Sequence, residues 1–257
     1  MGMPLLKRIG EWIKELGDLV FVPRCGACNT VVASREIAMC EKCTLRYLTE
    51  SKKFCKVCAR PHRACVCKVD SPRGKVPIVH VTGYDIRRSS VSRSLILNLK
   101  NDAFTAPLDL LAEDMLMALR ERYIRLFERE GVVITYLPRS KRAKRRAGHD
   151  QSEQLAKRIS ALSGAPLVPL FVNNSKRSQK KLNREQRIEN AKNGYALLAD
   201  GLRLDNKVVI MVDDIVTTGA SMGACAALVK SVGAKAVIGL VCAKAVSYKG
   251  LTEIDII

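Results

Sequence analysis

The segment Val208–Ser221, VVIMVDDIVTTGAS, constrains the fold of this 257-residue chain more than any other feature. A continuous apolar stretch leads into two adjacent carboxylates, Asp213 and Asp214, and then into a Thr-Thr-Gly-Ala-Ser loop that opens a helix. Such an apolar run is typical of a strand buried on both faces of a parallel sheet. In open α/β sheets, ligands bind beyond the carboxyl ends of the strands. The segment therefore predicts an α/β fold with a ligand site at this junction.

The residue types at this junction suit a ribose phosphate. A helix N-terminus offers amide donors and the positive end of a dipole, which favour a phosphate. Gly219 permits close approach of the backbone, and the carboxylate pair suits ribose hydroxyls, directly or through a magnesium ion. The predicted phosphate-binding residues are Thr217, Thr218, Gly219, Ala220 and Ser221. A helix cap alone would not require two acids, two threonines, a glycine and a serine in this order.

Beyond residue 77, predicted strands and helices alternate along the chain. Strands are predicted over 78–84, 132–137, 207–213 and 234–242, helices over 89–100, 107–129, 151–162, 184–192 and 220–232, and a polar, flexible stretch over 169–181. This alternation is typical of a doubly wound, mostly parallel α/β sheet. The segment 68–76 carries Pro72 and Gly74 amid charge, the composition of a linker. We therefore expect two domains, residues 1–71 and residues 72–257.

An apolar stripe at helical spacing runs through the first 21 residues. It consists of Leu5, Ile9, Trp12, Ile13, Leu16 and Val20. Lys14, Glu15 and Asp18 interrupt what would be the apolar core of a secretory signal. No apolar run reaches the ~18 residues that a membrane helix needs. We expect a helix packed on its own domain, with a membrane-surface helix as the less favoured alternative, no integral membrane segment and a cytoplasmic location.

Eight of the ten cysteines lie before residue 70, in closely spaced pairs. They are Cys25, Cys28, Cys40, Cys43, Cys55, Cys58, Cys65 and Cys67. In a reducing cytosol such pairs are typical of four-thiolate zinc sites rather than disulfides. We expect two zinc ions, with a single ion as the alternative, and the pairs combine either sequentially or in an interleaved way. His62 is a candidate substitute for a member of the last pair.

The cysteine-rich region contains few large apolar residues, so a metal would support its fold. The alternative is that the region grips a strand of nucleic acid. Gly26 in CGAC provides the backbone freedom that a metal-binding turn often needs. Cys225 and Cys242 lie in apolar surroundings and are expected to be inert core residues.

The net charge of +19 indicates polyanionic ligands: nucleic acid, diphosphates or both. Basic residues cluster in two runs, 139–146 and 176–187. The predicted nucleic-acid contacts are Arg142, Lys144, Arg145 and Arg146. Because aromatic residues make up only 5% of the chain, an electrostatic groove is favoured over a stacking platform.

The junction that carries Asp213 and Asp214 closely resembles the phosphoribosyl-pyrophosphate motif of type I phosphoribosyltransferases. Other segments are similar to the ComF family. They are TYLPRSKRAKRRAGHDQSEQLAKRIS, QKKLNREQRIENAKNGY and LVFVPRCGAC with the paired cysteines that follow it. Ala147, His149 and Asp150 depart from residues common in that family. The resemblance spans nearly the whole chain.

The resemblance implies a zinc-finger module joined to a phosphoribosyltransferase-like domain. It implies a role in natural transformation (competence), during which incoming single-stranded DNA moves into the cytosol. The implied ligands and partners are phosphoribosyl pyrophosphate (PRPP) with magnesium, single-stranded DNA, and competence-machinery helicases or single-strand-binding proteins. The acid pair and the phosphate loop map as above, and the diphosphate side maps to Arg139, Ser140 and Lys141.

Two functions remain open on these grounds. One is a DNA-handling protein whose pocket senses PRPP or grips a strand end. The other is an active phosphoribosyltransferase that transfers to an unidentified base or amine. His149 is a conceivable acid–base group for the second function, although a histidine beside a basic run more often has a structural role or is solvated.

Overall fold

Four apolar segments form one parallel sheet in the computed structural model, which describes residues 22–55, 57–85, 90–99, 105–128, 130–175 and 194–246. Their strands are β2 (Gly74–Asp85), β3 (Val132–Tyr136), β6 (Val208–Val216) and β7 (Ala236–Val246). The order is β1-β2-β7-β6-β3, in which β1 (Lys68–Ser71) pairs antiparallel with β2 and all other neighbours are parallel. The carboxyl ends of the four parallel strands therefore meet at one edge, which carries the acid pair.

Helices cover both faces of this sheet. They are α1 (Glu41–Ser51), α2 (Val91–Asn98), α3 (Thr105–Arg122), α4 (Lys141–Ala147), α5 (Gln151–Ser163) and α6 (Ala220–Ser231). On one face, Leu111 of α3 and Ile159 of α5 share a buried cluster with Ile210 of β6. On the other face, Val229 of α6 shares a second cluster with Met211. Because neighbouring strand residues point to opposite faces, these two layers confirm the predicted doubly wound, mostly parallel α/β fold.

The segment predicted as a linker, 68–76, is instead a β-hairpin. Strand β1 pairs with the start of β2, and Ser71 faces Gly74 across a two-residue turn. Gly74 has a φ of 98°, a conformation that favours glycine. The proline and glycine that suggested a linker thus belong to a tight turn. The division into residues 1–71 and 72–257 stays a prediction.

Three other expectations changed in detail. The helix predicted over 107–129 begins at Thr105 and ends at Arg122. The stretch predicted as polar and flexible contains β4 (Phe171–Asn173), which pairs antiparallel with β5 (Tyr195–Leu197) in a small separate sheet. The first basic run forms α4, which the strand and helix patterns did not predict.

The cysteine-rich region packs into the same core as α3 and the sheet. Its buried residues in that core are Cys25, Val32, Met39, Cys43 and Tyr47. Asp114 of α3 accepts a hydrogen bond from Tyr47 Oη at 2.6 Å and pairs with the Arg63 guanidinium at 2.6 Å. Buried apolar contacts and a partly buried carboxylate therefore join this region to α3.

The N-terminal stripe, the second basic run and the helix predicted over 184–192 lie outside the described residues. Among the helices of the described ranges, none combines the length and apolarity that crossing a membrane requires.

Candidate functional site

Strand β6 carries the acid pair to the carboxyl edge and continues to Val216, beyond its predicted end at Asp213. The phosphate loop, Thr217–Ser221, then leads into α6. Gly219 is the N-cap of α6 with a φ of 77°, a left-handed conformation that only glycine adopts freely. The two threonines before it are exposed, and Thr218 Oγ1 accepts a hydrogen bond from Ala220 N at 3.3 Å. The loop thus places exposed hydroxyl-bearing residues beside a helix N-terminus.

A small cleft of about 50 Å³ lies between Asp213 and the phosphate loop. It is lined by Asp213 and by residues 215–222. The first amides of a helix have no acceptor within the helix, and the helix dipole is positive at this end. The structure therefore brings one acid and all five predicted phosphate-binding residues together around a cleft that suits an anionic group.

The two acids at this cleft are held differently. Asp213 Oδ1 accepts hydrogen bonds from Ser152 Oγ at 2.8 Å and from the amide of Asp214 at 2.9 Å. Asp214 Oδ1 accepts from Ile215 N at 2.7 Å, while its Oδ2 lies 3.7 Å from the Arg139 guanidinium. Both carboxylates are therefore oriented before any ligand binds.

Burial raises the pKa of Asp213 well above its usual range, and the adjacent charge of Asp214 raises it further. The hydrogen bond from Ser152 opposes this shift, as does the one from the Asp214 amide. A carboxyl group with a raised pKa beside a second acid is a strong candidate for binding a cation or hydroxyl groups. The electrostatics thus support a binding role for the pair rather than a simple helix cap.

Arg139 joins the strand end of β3 to the acid pair. Its amide donates to Asp150 Oδ2 at 2.7 Å, which fixes the backbone, and its guanidinium faces Asp214. The neighbouring Ser140 caps α4, since its Oγ accepts a hydrogen bond from Ala143 N at 3.4 Å. Lys141 is exposed at the start of α4. Of the three predicted diphosphate-side residues, Arg139 is the one that contacts the acid pair.

Helix α4 displays the predicted nucleic-acid contacts directly beyond Arg139. Arg142, Lys144 and Arg145 are exposed, and the side chain of Arg146 lies outside the described part of the chain. Lys144 Nζ pairs with Glu153 of α5 at 2.7 Å, which raises the pKa of this lysine. The helix therefore presents a basic surface tied to α5 by an ion pair.

The structure adds site residues that the sequence patterns did not single out. Ser152 contacts Asp213, and Asp150 contacts Arg139, although both were placed only within or before a helix. Burial raises the pKa of Asp150, and its Oδ1 has no hydrogen-bond partner among the residues that the structure describes. Burial raises the pKa of Tyr195 of β5, and the nearby Ser221 opposes this shift. A polar residue at a buried helix start was the available signal for the first two, whereas the third is the last residue of the segment QKKLNREQRIENAKNGY, which resembles the ComF family.

His149, the conceivable acid–base group, has a structural position. Its side chain is buried, and its Nε2 lies 3.0 Å from the carbonyl oxygen of Leu99.

The phosphoribosyl transferase domain family matches residues 145–253, which include α5, β6, the phosphate loop and α6. The chain carries a phosphoribosyltransferase domain. No curated protein matches the chain.

Solved structures similar to this chain include three phosphoribosyltransferases. The purine phosphoribosyltransferase from Pyrococcus horikoshii Ot3 is 19% identical, with 51% of this chain and 70% of that chain covered and a TM-score of 0.32. The hypoxanthine phosphoribosyltransferase from Staphylococcus aureus is 13% identical, with 56% and 82% covered and a TM-score of 0.34. The adenine phosphoribosyltransferase from Saccharomyces cerevisiae, complexed with an imino-altritol bisphosphate and adenine, is 16% identical, with 57% and 71% covered and a TM-score of 0.32.

The eight paired cysteines form two clusters before the phosphoribosyltransferase domain. The first cysteine cluster is Cys25, Cys28, Cys40 and Cys43, and the second cysteine cluster is Cys55, Cys58, Cys65 and Cys67. Within each, all ligand atoms lie within 4.8 Å of one another. The pairs thus combine sequentially, one of the two arrangements that the spacing allowed.

The sulfur positions fit tetrahedral zinc. Zn–S bonds of ~2.3 Å place two tetrahedral ligands roughly 3.8 Å apart. The separations are 3.7 Å for Cys28 and Cys40, 3.8 Å for Cys55 and Cys67, and 3.6 Å for Cys58 and Cys65. Hydrogen bonds with Thr30 lower the pKa of Cys28 to about 6, which favours the thiolate that a metal requires. Both clusters are compatible with zinc binding.

The C-x2-C turns that begin at Cys25 and at Cys55 share one geometry. Asn29 N donates to Cys25 O at 2.9 Å, and Ala59 N donates to Cys55 O at 2.8 Å. The residue after the second cysteine has a positive φ in both turns, 65° at Asn29 and 52° at Ala59. The sequence suggested that Gly26 provides the conformational freedom of the first turn. The residue with the left-handed backbone is instead Asn29. Gly26 is needed for another reason, since a Cβ there would lie 2.5 Å from Pro107 Cγ.

His62 is not a member of the second cysteine cluster, contrary to the alternative raised by the sequence. Its Nδ1 lies 3.1 Å from His80 Nε2, and both rings are buried. Burial lowers the pKa of both groups, to about 4 for His62 and about 3 for His80. Cys225 and Cys242 are fully buried as predicted, and burial raises the pKa of both thiols.

Proposed function

We propose that this chain is a ComF-type protein that binds PRPP in its phosphoribosyltransferase domain and handles single-stranded DNA during natural transformation, in the cytoplasm. The observation that carries the proposal is the cleft at the carboxyl edge of the sheet. There Asp213 and the phosphate loop face the same space, and Arg139 contacts the neighbouring acid. The family resemblance of the basic and cysteine-rich segments supports the DNA-handling part.

In the proposed complex, the phosphate loop binds the ribose phosphate through its backbone amides and threonine hydroxyls. Asp213 and Asp214 accept hydrogen bonds from the ribose hydroxyls. Arg139 and Lys141 neutralise the diphosphate, for which Arg139 leaves its pairing with Asp214. Asp213 and Asp214 are the residues that would hold a magnesium ion bound with the ligand, and the ion would supply positive charge that offsets the diphosphate.

Single-stranded DNA would lie along α4, because this helix begins directly after the diphosphate side of the cleft. Its exposed arginines are suited to sequence-independent contacts with backbone phosphates. A strand end bearing a phosphate would then reach the same cleft that takes PRPP. Competence-machinery helicases or single-strand-binding proteins would deliver or receive the strand.

Zinc in both cysteine clusters would supply the fold energy that this small region lacks. The region is proposed to have a structural role, because four of its cysteines are buried and its helix packs on the domain core. Elemental analysis should give about two zinc ions per chain. A value near one would show that the chain binds one zinc ion and would contradict the second site.

Calorimetric titration with PRPP and magnesium tests the proposal. Wild-type protein should bind, and Asp213→Ala should weaken binding at least about tenfold, as expected for lost charged hydrogen bonds. Asp205→Ala is the matched control, since Asp205 is an exposed acid paired with Arg203 before β6. Absence of wild-type binding, or equal affinity of the two variants, would contradict the proposal.

An active transferase is the second candidate, favoured by the intact acid pair beside the phosphate loop. Labelled PRPP, magnesium and a panel of bases and amines should release diphosphate if turnover occurs. Binding without release for any acceptor favours the DNA-handling function. Release with one acceptor would instead identify the substrate class of an enzyme.

A further inference from the structure

The β1–β2 hairpin packs directly against the phosphate loop. A Cβ atom at Gly219 would lie 2.5 Å from Val69 Cβ, so the Gly219 backbone rests on the Val69 side chain. Val69 is 7% exposed and belongs to the apolar cluster between the sheet and α6. The loop residue with the left-handed backbone therefore packs directly on the Val69 side chain of the edge strand β1.

The hairpin also holds the first and last turns of α6. Ser71 Oγ donates to the carbonyl oxygen of Gly223 at 2.8 Å. Gly223 lies so close to the backbone carbonyl of Asp70 that a side chain would not fit there. At the other end of the helix, Lys230 Nζ donates to Arg73 O at 3.4 Å. The position of α6, and with it of the phosphate loop, is thus set against β1 and the hairpin turn.

The second cysteine cluster fixes the start of this hairpin. Cys67 directly precedes β1, its Sγ lies 3.8 Å from Cys55 Sγ, and its carbonyl accepts from Ile78 N at 3.3 Å. Strand β1 has four residues and one neighbouring strand, a length that is marginal on its own. A metal in the cluster would therefore anchor the strand at the end where backbone pairing alone is weak.

Lys244 provides a second connection between the cluster and the carboxyl edge. It lies close enough to Cys67 to oppose the rise that burial causes in the pKa of this thiol. Along β7, Lys244 is in register with Val216, the residue directly before the phosphate loop. The same cluster is thus linked to the loop on both sides, through β1 and through β7.

We infer that the second cysteine cluster, acting through Val69 and Ser71, positions the phosphate loop, so that metal at this cluster governs anion binding at the loop. The inference rests on the proposed binding of a ribose phosphate at that loop. Val69 and Ser71 are positioning residues, since they contact the loop and α6 rather than the ligand. The first cysteine cluster packs on α3 instead and has no such role.

Val69→Ala and Val76→Ala form a matched pair for the test. The two valines face each other across the hairpin in the same buried cluster, but only Val69 supports Gly219. In full-length zinc-loaded protein, Val69→Ala should speed hydrogen exchange of the amides of residues 217–222. It should also weaken binding of PRPP with magnesium by about tenfold, if the competent loop falls to about a tenth of the population.

Val76→Ala should leave loop exchange and affinity within about twofold of wild type. Equal effects of the two alanine variants would show that Val69 acts only as an ordinary core residue. That result would overturn the inference. No effect of Val69→Ala would do the same. The exchange measurement needs no ligand, so failure of wild type to bind PRPP would remove the proposed function while the positioning role is still decided.

Cys58→Ser and Cys28→Ser test the metal. Each removes the second cysteine of its C-x2-C turn, and each should lower the zinc content by about one ion per chain. Only Cys58→Ser should speed exchange in the phosphate loop and weaken PRPP binding. Equal changes in both variants, or an unchanged loop after loss of the second ion, would overturn the role of the cluster. The valine pair decides the inference if a cysteine variant does not fold.

Discussion

Asp213 and Asp214 are identical residues whose surroundings give them different energetic roles. Burial and the charge of Asp214 raise the pKa of Asp213, so its ionised form is disfavoured in the folded chain. Asp214 faces the Arg139 guanidinium, which offsets its charge. Ionised Asp213 therefore lowers the stability of the fold at neutral pH, a cost that is common where a charge serves a ligand.

Asp213→Asn should raise the melting temperature at pH 7 and weaken binding of PRPP with magnesium at least about tenfold. The neutral amide removes the buried charge, and its oxygen still accepts the hydrogen bond from Ser152. Because the folded pKa is raised, the stability difference from wild type should shrink as the pH falls and vanish below about 3.9, the usual pKa of an unfolded aspartate, where Asp213 becomes protonated in both states. Thermal unfolding at several pH values and calorimetric titration measure both effects.

Asp214→Asn tests whether the expected stabilisation depends on the burial of Asp213 or follows from removing either of the two charges. It should weaken the same binding without raising the melting temperature, because it loses the ion pair with Arg139. A lower melting temperature for Asp213→Asn than for wild type would show that the buried charge is compensated within the fold.

Because His80 is buried, we expect the stability of the fold to decrease in acid. The pKa of this histidine is lowered to about 3 by burial, whereas an exposed histidine titrates near 6.5. Between these values the unfolded chain binds a proton that the folded chain does not, so stability should fall as the pH decreases below about 6.5. His80→Gln should reduce this slope between pH 7 and pH 5, by up to roughly 1.4 kcal/mol per pH unit. Denaturant unfolding with zinc release followed in parallel measures it, and an unchanged slope at constant zinc content would assign the sensitivity elsewhere.

At the scale of elements, apolar runs predicted the four parallel strands and their helices, because burial on both faces leaves an unbroken hydrophobic pattern. The hydrophobic pattern did not predict the short strands, because their pairing depends on other segments of the chain. The hairpin at 68–76 is polar and short, and its pairing depends on β2 rather than on its own composition. Strands β4 and β5 lie far apart in the sequence, so their pairing left no local signal. The acid pair and phosphate loop were predictable because one contiguous segment carries them, whereas the contact of Ser152 with Asp213 required the fold.

If the exposed arginines of helix α4 contact DNA phosphates, the affinity for DNA should depend on salt concentration through them. Arg142→Gln together with Arg145→Gln should weaken binding of single-stranded DNA. It should also lower the salt slope by about 1.4, since each phosphate contact on a single strand contributes roughly 0.7. Arg125→Gln with Arg203→Gln is the charge-matched control, because both arginines are exposed, paired with acids and outside α4. Fluorescence titrations at several salt concentrations measure the slopes, and equal slopes for the two double variants would remove α4 from the interface.

At the scale of the whole molecule, the cysteine-rich region and the sheet share one core. Cys25, Cys43 and Tyr47 belong to the same buried cluster as α3 and β6, and the Asp114 side chain binds both Tyr47 and Arg63. A division near residue 71 would separate β1 from β2 as well. The region is therefore coupled to the sheet by buried contacts, unlike an independent module on a flexible linker.

Removal of zinc should consequently destabilise the whole chain in one cooperative transition. A metal in the clusters would hold groups that pack against α3, so its loss would expose part of the common core instead of unfolding a separate module. Calorimetry before and after chelation should show a single peak that moves to lower temperature, and readdition of zinc should restore it. Asp114→Asn should lower the melting temperature without changing the zinc content, since it weakens the connection to Arg63 and Tyr47 but touches no cysteine. Two resolved peaks, with the upper one unaffected by the chelator, would mean that the sheet folds independently of the cysteine clusters.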